Sequence, residues 1–201
     1  KRQALHRARS PWRGMRTEVI GGQLLDISLE AAGSESVELA NSVNRYKTAA
    51  YTIERPLHLG ASIAGASEEL IAAFRGYGQD IGIAYQLRDD QLGVFGDPAV
   101  TGKPAGDDLR EGKRTELLAL ALRRADESDP QAAATLRKLI GHTSDPQELS
   151  RLAQIIADSG APEEIERRIA SLTQSGLQHL RAARVDPAVT ETLEPVSYTH
   201  L

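Results

Sequence analysis

The chain has 201 residues, 24 of them basic and 28 acidic, and a net charge of −4. Its length fits one domain or two small ones, and the absence of cysteine excludes a disulfide scaffold, a cysteine zinc site and thiol catalysis. A slightly acidic chain with 4% aromatic residues also lacks the charge and the stacking side chains of a nucleic-acid binder. No apolar run approaches the ~18 residues of a membrane span and no secretory signal pattern is visible, so we expect a cytoplasmic protein.

Hydrophobic spacing predicts helices nearly throughout, and no segment alternates as a strand would. The first four helices are predicted at 11–32, 35–52, 56–65 and 67–95. Proline at the first helical position, preceded or followed by acids, then predicts further helix starts. These starts are Asp129-Pro130, Ser144-Asp145-Pro146, Ala161-Pro162-Glu163-Glu164 and Asp186-Pro187. The pattern as a whole predicts an all-α bundle of about eight helices.

Residues 96–114 interrupt this pattern with a long polar segment. It contains Gly96, Gly102, Gly106 and Gly112, and its four acids balance its four bases. A long polar loop inside a compact domain is usually functional or disordered. Disordered linkers are more often biased to one sign of charge, so the balance favours a structured binding loop.

The helix that enters this loop carries a stripe of small and polar residues. At ~100° per residue, Gly78, Gly82, Gln86, Asp89 and Gly93 fall on one narrow arc. We expect the glycines to leave room for something other than side chains. The adjacent Asp89-Asp90 pair lies near the negative end of the helix dipole, where acids are unfavourable unless a cation is bound. Hard oxygen ligands suit Mg²⁺, so the pair predicts a magnesium site.

Two further places hold polar residues at helical spacing. Gln23 and Asp26 lie within an apolar stretch of the first helix, and Lys47-Thr48 comes near the end of the second. Only five of the 24 basic residues are lysines, and lysine is a compact point charge suited to phosphate oxygens.

In this order, these segments resemble the trans-isoprenyl diphosphate synthases, or polyprenyl synthetases, and especially the actinobacterial geranylgeranyl type. The resemblance is clear from about residue 10 to 120. The matching segments are Gly21-Gly22-Gln23-Leu24-Leu25-Asp26, Tyr46-Lys47-Thr48-Ala49-Ala50-Tyr51, Arg55-Pro56-Leu57-His58-Leu59-Gly60-Ala61, Tyr85-Gln86-Leu87-Arg88-Asp89-Asp90-Gln91-Leu92-Gly93, Thr101-Gly102-Lys103-Pro104, Gly106-Asp107-Asp108-Leu109 and Gly112-Lys113-Arg114-Thr115.

The resemblance implies an isoprenoid-synthase-type helical bundle around a central cavity. It implies a prenyltransferase that condenses isopentenyl diphosphate with an allylic diphosphate, assisted by Mg²⁺, and that forms a homodimer. In such a reaction the allylic diphosphate ionises, the alkene attacks the allylic cation, and the released diphosphate is the base for proton loss.

The same resemblance assigns the charged site residues. Asp89 is expected to be the main magnesium ligand of the second aspartate-rich motif, with Asp90 in support. Lys47 and Lys103 are expected to contact the diphosphate, and Lys113 is a further candidate.

The resemblance also assigns neutral and supporting site residues. Gln23, Thr48 and Gln86 are expected to line the place where positive charge develops, with Lys47 nearby in the catalytic set. The residues expected to support them are Asp26, Asp97 and Asp107.

The sequence departs from the family pattern in two ways. The family usually has a third aspartate where this chain has Gly93, a loss for which Asp97 could compensate. The family's first aspartate-rich motif and its isopentenyl diphosphate site would lie upstream of residue 1. We therefore interpret residues 1–194 as the C-terminal part of one synthase domain, inactive alone, and 195–201 as a tail without an assigned role.

Two other functions stay open from the sequence. One is a non-catalytic regulatory subunit of a heteromeric prenyl synthase, and the other is a terpene cyclase of the same fold.

Overall fold

Every regular element in the described residues of the chain, 1–102, 104–183 and 185–199 of a computed structural model, is a helix. The all-α fold class is thereby confirmed. The α-helices of these residues are α1 (Arg2–Ala32), α2 (Val37–Val43), α3 (Arg55–Ala64), α4 (Glu68–Phe95), α5 (Pro98–Thr101), α6 (Asp107–Glu111), α7 (Glu116–Ser128), α8 (Pro130–Leu139), α9 (Pro146–Asp158), α10 (Ala161–Ala182) and α11 (Pro187–Thr199). A π-helix spans Asn44–Glu54, between α2 and α3.

The helix starts predicted from proline and aspartate are confirmed. Asp129 and Asp145 each precede a proline, and their carboxylates accept hydrogen bonds from backbone N–H groups in the first turns of α8 and α9. Such caps satisfy donors that have no partner within the helix. Gly65 ends α3 with φ of +80°, a left-handed conformation that glycine adopts without steric cost.

Helix α1 begins at Arg2, earlier than predicted, and Pro11 lies inside it. The guanidinium of Arg7 donates hydrogen bonds to the carbonyl oxygens of Ser62 (2.7 Å) and Ile63 (3.0 Å). These carbonyls belong to the last turn of α3, where helical partners are missing. Arg7 therefore both caps α3 and anchors the first turns of α1, which offsets the hydrogen bond that Pro11 cannot donate.

Two other predicted elements differ from the observed ones. The predicted helix 35–52 is divided into α2 and the π-helix, because hydrophobic spacing over so few residues does not distinguish the two hydrogen-bond ladders. The polar segment 96–114 contains two short helices, α5 and α6. The expected count of about eight helices was too low because these short elements carry no amphipathic period.

The chain divides into two compact units. Residues 1–25, 42–86 and 168–201 form the first unit. Its core is a buried cluster from α3, α4 and α10, and flanking apolar side chains such as Leu57 and Leu70 pack against it. The cluster consists of Ala61, Phe74, Tyr77, Ile81, Leu177 and Leu180. The hydroxyl of Tyr77 donates a hydrogen bond to the carbonyl of Leu193 (2.9 Å), which ties α11 to this core.

Residues 26–41 and 87–167 form the second unit. Every residue from Leu117 to Leu122 is buried, so this stretch of α7 is apolar on all sides and forms the centre of the unit. Helix α8 packs on α7, and α9 packs on α8 and α6. The polar segment that contains α6 is thereby part of a packed unit.

None of the helices in the described part of the chain combines the length and the apolar character that a bilayer crossing needs. The interpretation of 1–194 as one domain stays a prediction, as does the lack of a role for 195–201. Helix α11 continues into that tail as far as Thr199.

Candidate active site

The π-helix carries Lys47 and Thr48 and lies against glycines of α1 and α4. A Cβ at Gly82 would lie 2.5 Å from the Cβ of Ala49, and closer still to its Cα. A Cβ at Gly78 would lie 2.5 Å from the Cα of Glu54. No side chain fits at those distances, so these positions must be glycine for the backbones to approach.

The same close approach occurs on α1. A Cβ at Gly22 would lie 2.5 Å from the backbone nitrogen of Lys47. The glycines of α4 leave room for something other than a side chain, as expected, and at Gly78 and Gly82 this space is filled by the backbone of the π-helix. Glycine contacts fix the main chain at Lys47, and π-helical turns are frequent at functional sites.

Thr48 and Gln86, both predicted site residues, meet directly. The hydroxyl of Thr48 donates a hydrogen bond of 2.7 Å to the side-chain carbonyl oxygen of Gln86. Both side chains are half-buried. Because the hydroxyl proton is used in this bond, the lone pairs of the Thr48 oxygen point away from it. The pair therefore presents two oxygen dipoles in a fixed arrangement, suited to a developing positive charge.

A buried polar network fixes the C-terminal end of the π-helix. Glu54 is 3% exposed and accepts a hydrogen bond from Gln79 (3.2 Å). Arg55 forms a two-armed ion pair with Glu18, and this pairing lowers the pKa of Glu18 despite partial burial.

His58 belongs to the same network in its neutral form. Its Nε2 donates to the carbonyl of Ile71 (3.1 Å), and its Nδ1 accepts from Arg55 (3.2 Å). Burial is the main reason that the pKa of His58 is lowered. A neutral ring with its proton on Nε2 satisfies both contacts.

The last turns of α4 carry the two predicted magnesium ligands. Asp89 is half-buried and Asp90 is 4% exposed. Arg88 forms an ion pair with Glu166, and Gln91 donates to the carbonyl of Pro162 (3.0 Å), so this part of α4 is anchored to α10. The anchors restrict the backbone from which both aspartates project.

Asp108 is a buried acid that the sequence reasoning missed. Its carboxylate packs on Gly93, where a Cβ would lie 2.9 Å from Oδ1 and closer still to Oδ2. Asp108 also forms an ion pair with Lys113. Burial opposes the charge on Lys113, but Asp108, followed by Glu111 and Asp89, outweighs it and raises the pKa of the lysine.

A signal for Asp108 was present in the sequence. The family's aspartate is missing at position 93, and the Asp107-Asp108 pair follows within the polar segment, but the prediction named Asp107, the less buried of the two. Asp107 is half-buried and pairs with the exposed Arg110 three residues later. The buried Leu109 beside Asp108 marks the side of α6 that faces the interior.

The structure places the other predicted site residues without testing their roles. Asp97 caps α5 by accepting a hydrogen bond from the N–H of Ala99 (2.9 Å). Gln23 is exposed on α1, directly after Gly22, and Asp26 is half-buried. Lys103 lies outside the described residues. All these assignments stay predictions.

Among the residues that the structure describes, no three His, Asp or Glu side chains converge into a group that could hold a metal ion by itself. The carboxylates in α4 and α6 are nevertheless hard oxygen ligands. Mg²⁺ commonly takes one or two carboxylates and completes its shell with water and phosphate oxygens. Asp89 and Asp90 can supply such a partial ligand set.

Comparison with known proteins gives one family. The polyprenyl synthetase family model matches residues 12–158. A solved geranylgeranyl pyrophosphate synthase from Corynebacterium glutamicum, complexed with isoprenyl diphosphate and magnesium, is 60% identical with a TM-score of 0.97 over 100% of this chain and 56% of its own.

Two curated relatives match about half of this chain. The geranylfarnesyl diphosphate synthase of Aeropyrum pernix is 43% identical over 110 residues, which are 54% of this chain and 34% of the relative. The geranylgeranyl diphosphate synthase of Mycobacterium tuberculosis is 39% identical over 113 residues, 56% of this chain and 32% of the relative. The matched region thus spans about a third of the length of these relatives.

Proposed function

The chain belongs to the polyprenyl synthetase family, and we propose that its protein is a prenyltransferase that condenses isopentenyl diphosphate with an allylic diphosphate. The observation that carries this proposal is the 60% identity, over the whole chain, to a geranylgeranyl pyrophosphate synthase structure with isoprenyl diphosphate and magnesium bound. Balanced chemistry requires that one carbon–oxygen bond breaks, one carbon–carbon bond forms, and diphosphate and one proton leave.

Magnesium is part of this proposal. The acids present fit the ion, because Asp89 and Asp90 offer adjacent carboxylates and Mg²⁺ accepts a small protein ligand set. Asp89 would hold the ion, with Asp90 in support. When bound, the ion supplies positive charge to the leaving diphosphate.

Basic residues of the chain are proposed to bind the same leaving group, the diphosphate. The backbone of Lys47 is fixed against Gly22, which limits where its ammonium can reach. The raised pKa of Lys113 keeps that side chain charged. Both lysines are proposed to contact diphosphate oxygens, and Lys103, outside the described residues, is proposed to do so as well. A positive charge beside the departing oxygen stabilises the transition state.

Neutral oxygens are proposed to face the allylic cation. Because the hydrogen bond from Thr48 fixes Gln86, two oxygen dipoles need no reorganisation when positive charge develops. Gln23 is proposed to contribute a third oxygen dipole, that of its side-chain amide, from α1. The supporting roles of Asp26, Asp97 and Asp107 complete the predicted set.

A product assay tests the function. The protein is expressed from its gene with any coding sequence that flanks this chain, then incubated with Mg²⁺, isopentenyl diphosphate and farnesyl diphosphate. The expected product is a longer prenyl diphosphate. Consumption of farnesyl diphosphate without isopentenyl diphosphate would identify a cyclase instead. A protein that is inactive but accelerates a second synthase would be a regulatory subunit.

Location and assembly are proposed on the same basis. We propose a homodimer, as the family resemblance implies, and a cytoplasmic location, as expected from the sequence. Fractionation of cells and sedimentation of the purified protein measure these two properties directly.

A further inference from the structure

The notch at Gly93 holds a carboxylate from another helix. A side chain at position 93 would need the space that Asp108 occupies, since its Cβ would lie 2.9 Å from Oδ1 and nearer to Oδ2. Asp108 is 6% exposed. The carboxylate of Asp108 thus occupies the space that the Cβ of any larger residue at position 93 would need. We call this arrangement the Gly93 notch.

Helix geometry relates the notch to Asp89. Residues 89 and 93 are one turn apart on α4, so a group at the notch lies beside the Asp89 side chain. The pKa of Lys113 is consistent with Asp108 lying near Asp89, because both acids raise it. Asp108 forms the ion pair with the Lys113 ammonium, and the charge of Asp89 acts on the same ammonium more weakly.

The position of Asp108 is fixed by its own backbone. Its carbonyl accepts hydrogen bonds from the N–H groups of Gly112 and Lys113, both 3.1 Å. Gly112 adopts φ of +77° and turns the chain so that Lys113 returns to the side of Asp108. The neighbouring Leu109 is 2% exposed, and its carbonyl accepts a hydrogen bond from Gly141 (2.9 Å).

We propose that Asp108, lodged in the Gly93 notch, is a positioning acid for the divalent cation at Asp89. This inference rests on the proposed function. Because three carboxylates do not converge among the described residues, Asp108 acts on the water ligands of the cation and accepts their hydrogen bonds. A cation there replaces the Lys113 ammonium as the partner of Asp108 and leaves the lysine to bind an anion.

Manganese binding in the presence of inorganic pyrophosphate tests the inference without turnover. Asp108→Asn keeps the shape of the side chain but removes its charge. We expect it to raise the Mn²⁺ concentration for half-saturation about 10-fold or more, the usual loss for outer-sphere partners. Glu127→Gln, which changes an exposed acid on α7 in the same compact unit, is the matched control and should bind Mn²⁺ like the wild type.

A swap of the acid between the two helices separates a metal role from a packing role. Gly93→Asp alone should lower the melting temperature, because it expels Asp108 from the notch. When Gly93→Asp is combined with Asp108→Ala, the carboxylate introduced at position 93 replaces that of Asp108 in the Gly93 notch, so one acid is again present there. This double variant should melt above Gly93→Asp and bind Mn²⁺ within about 3-fold of the wild type, since one outer-sphere acid is again present.

Two results would overturn the inference. One is normal Mn²⁺ binding by Asp108→Asn, and the other is a double variant that regains stability but not affinity. If the wild-type protein forms product and Asp108→Asn binds Mn²⁺ normally, only the role of Asp108 is contradicted and the proposed function stands. If the wild-type protein binds Mn²⁺ through Asp108 but makes no product, only the proposed prenyl transfer fails.

Discussion

Replacement of Gly82 by alanine tests the close approach of α4 and the π-helix. The added methyl group would lie 2.5 Å from the Cβ of Ala49 and nearer to its Cα. Carbon atoms pack best at about 3.5–4.0 Å, so one backbone must move by about 1 Å or more. Both segments are main chain in regular helices, and neither can turn aside as a flexible side chain could.

The expected cost follows from two opposing effects. Overpacking of a closed contact costs about 1–3 kcal/mol. Displacement of the π-helix also strains the bond between Thr48 and Gln86, worth about 1 kcal/mol. Alanine recovers up to about 1 kcal/mol of helix propensity. The net loss of about 2 kcal/mol lowers the melting temperature by about 4–8 °C for a protein of this size.

Thermal and denaturant unfolding measure this loss against a matched control. Gly60 also lies inside a helix, α3, but a Cβ there meets no atom within 4 Å. Gly60→Ala should therefore raise the free energy of unfolding by about 0.5–1 kcal/mol. The reasoning is refuted if Gly82→Ala melts at or above the wild type, or if both variants shift in the same direction.

Three further predictions concern the site and its support. Asp89→Asn should lower kcat about 100-fold, or roughly 2.7 kcal/mol of barrier, with nearly unchanged melting; a normal kcat in the product assay would contradict the magnesium role. Thr48→Val should lower kcat about 10-fold because Gln86 loses its donor, while Thr48→Ser should keep it; equal loss in both would point to packing instead. Because Arg55 lowers the pKa of Glu18 below 4.5, the stability from this pair is present above that pH and is lost as the pH falls through the folded-state pKa. Glu18→Gln should therefore lower the free energy of unfolding by about 1.5–3 kcal/mol at pH 7 and by progressively less as the pH falls through the folded-state pKa of Glu18, and a pH-independent difference in urea titrations would contradict it.

The helical class and many of its boundaries could be predicted because they depend on local chemistry. Asp129, Asp145 and the prolines after them act within one turn, and their effect can be read from adjacent letters. The π-helix could not be predicted, because it depends on contacts with Gly78 and Gly82 on a distant segment. Its hydrophobic spacing alone indicates only a helix.

The site shows the same division between local and long-range information. Asp89, Thr48 and Gln86 could be proposed from motifs, but the bond between the last two needed the fold. The choice between Asp107 and Asp108 depended on which one is buried, and that is decided by the packing of α6. The glycines of the stripe on α4 were expected to leave room for something other than side chains, but at Gly93 the space is filled by the carboxylate of Asp108.

The π-helix also makes this segment sensitive to insertions and deletions. A residue turns an α-helix by about 100°, so a one-residue deletion that restored an α-helical ladder would rotate everything after it by roughly that angle. Lys47 and Thr48 lie between α2 and the fixed contact at Glu54, and a deletion would change their direction without changing their identity. Homologous sequences that gain or lose a residue between 44 and 54 would therefore differ in the geometry of the Lys-Thr pair even where both letters are retained.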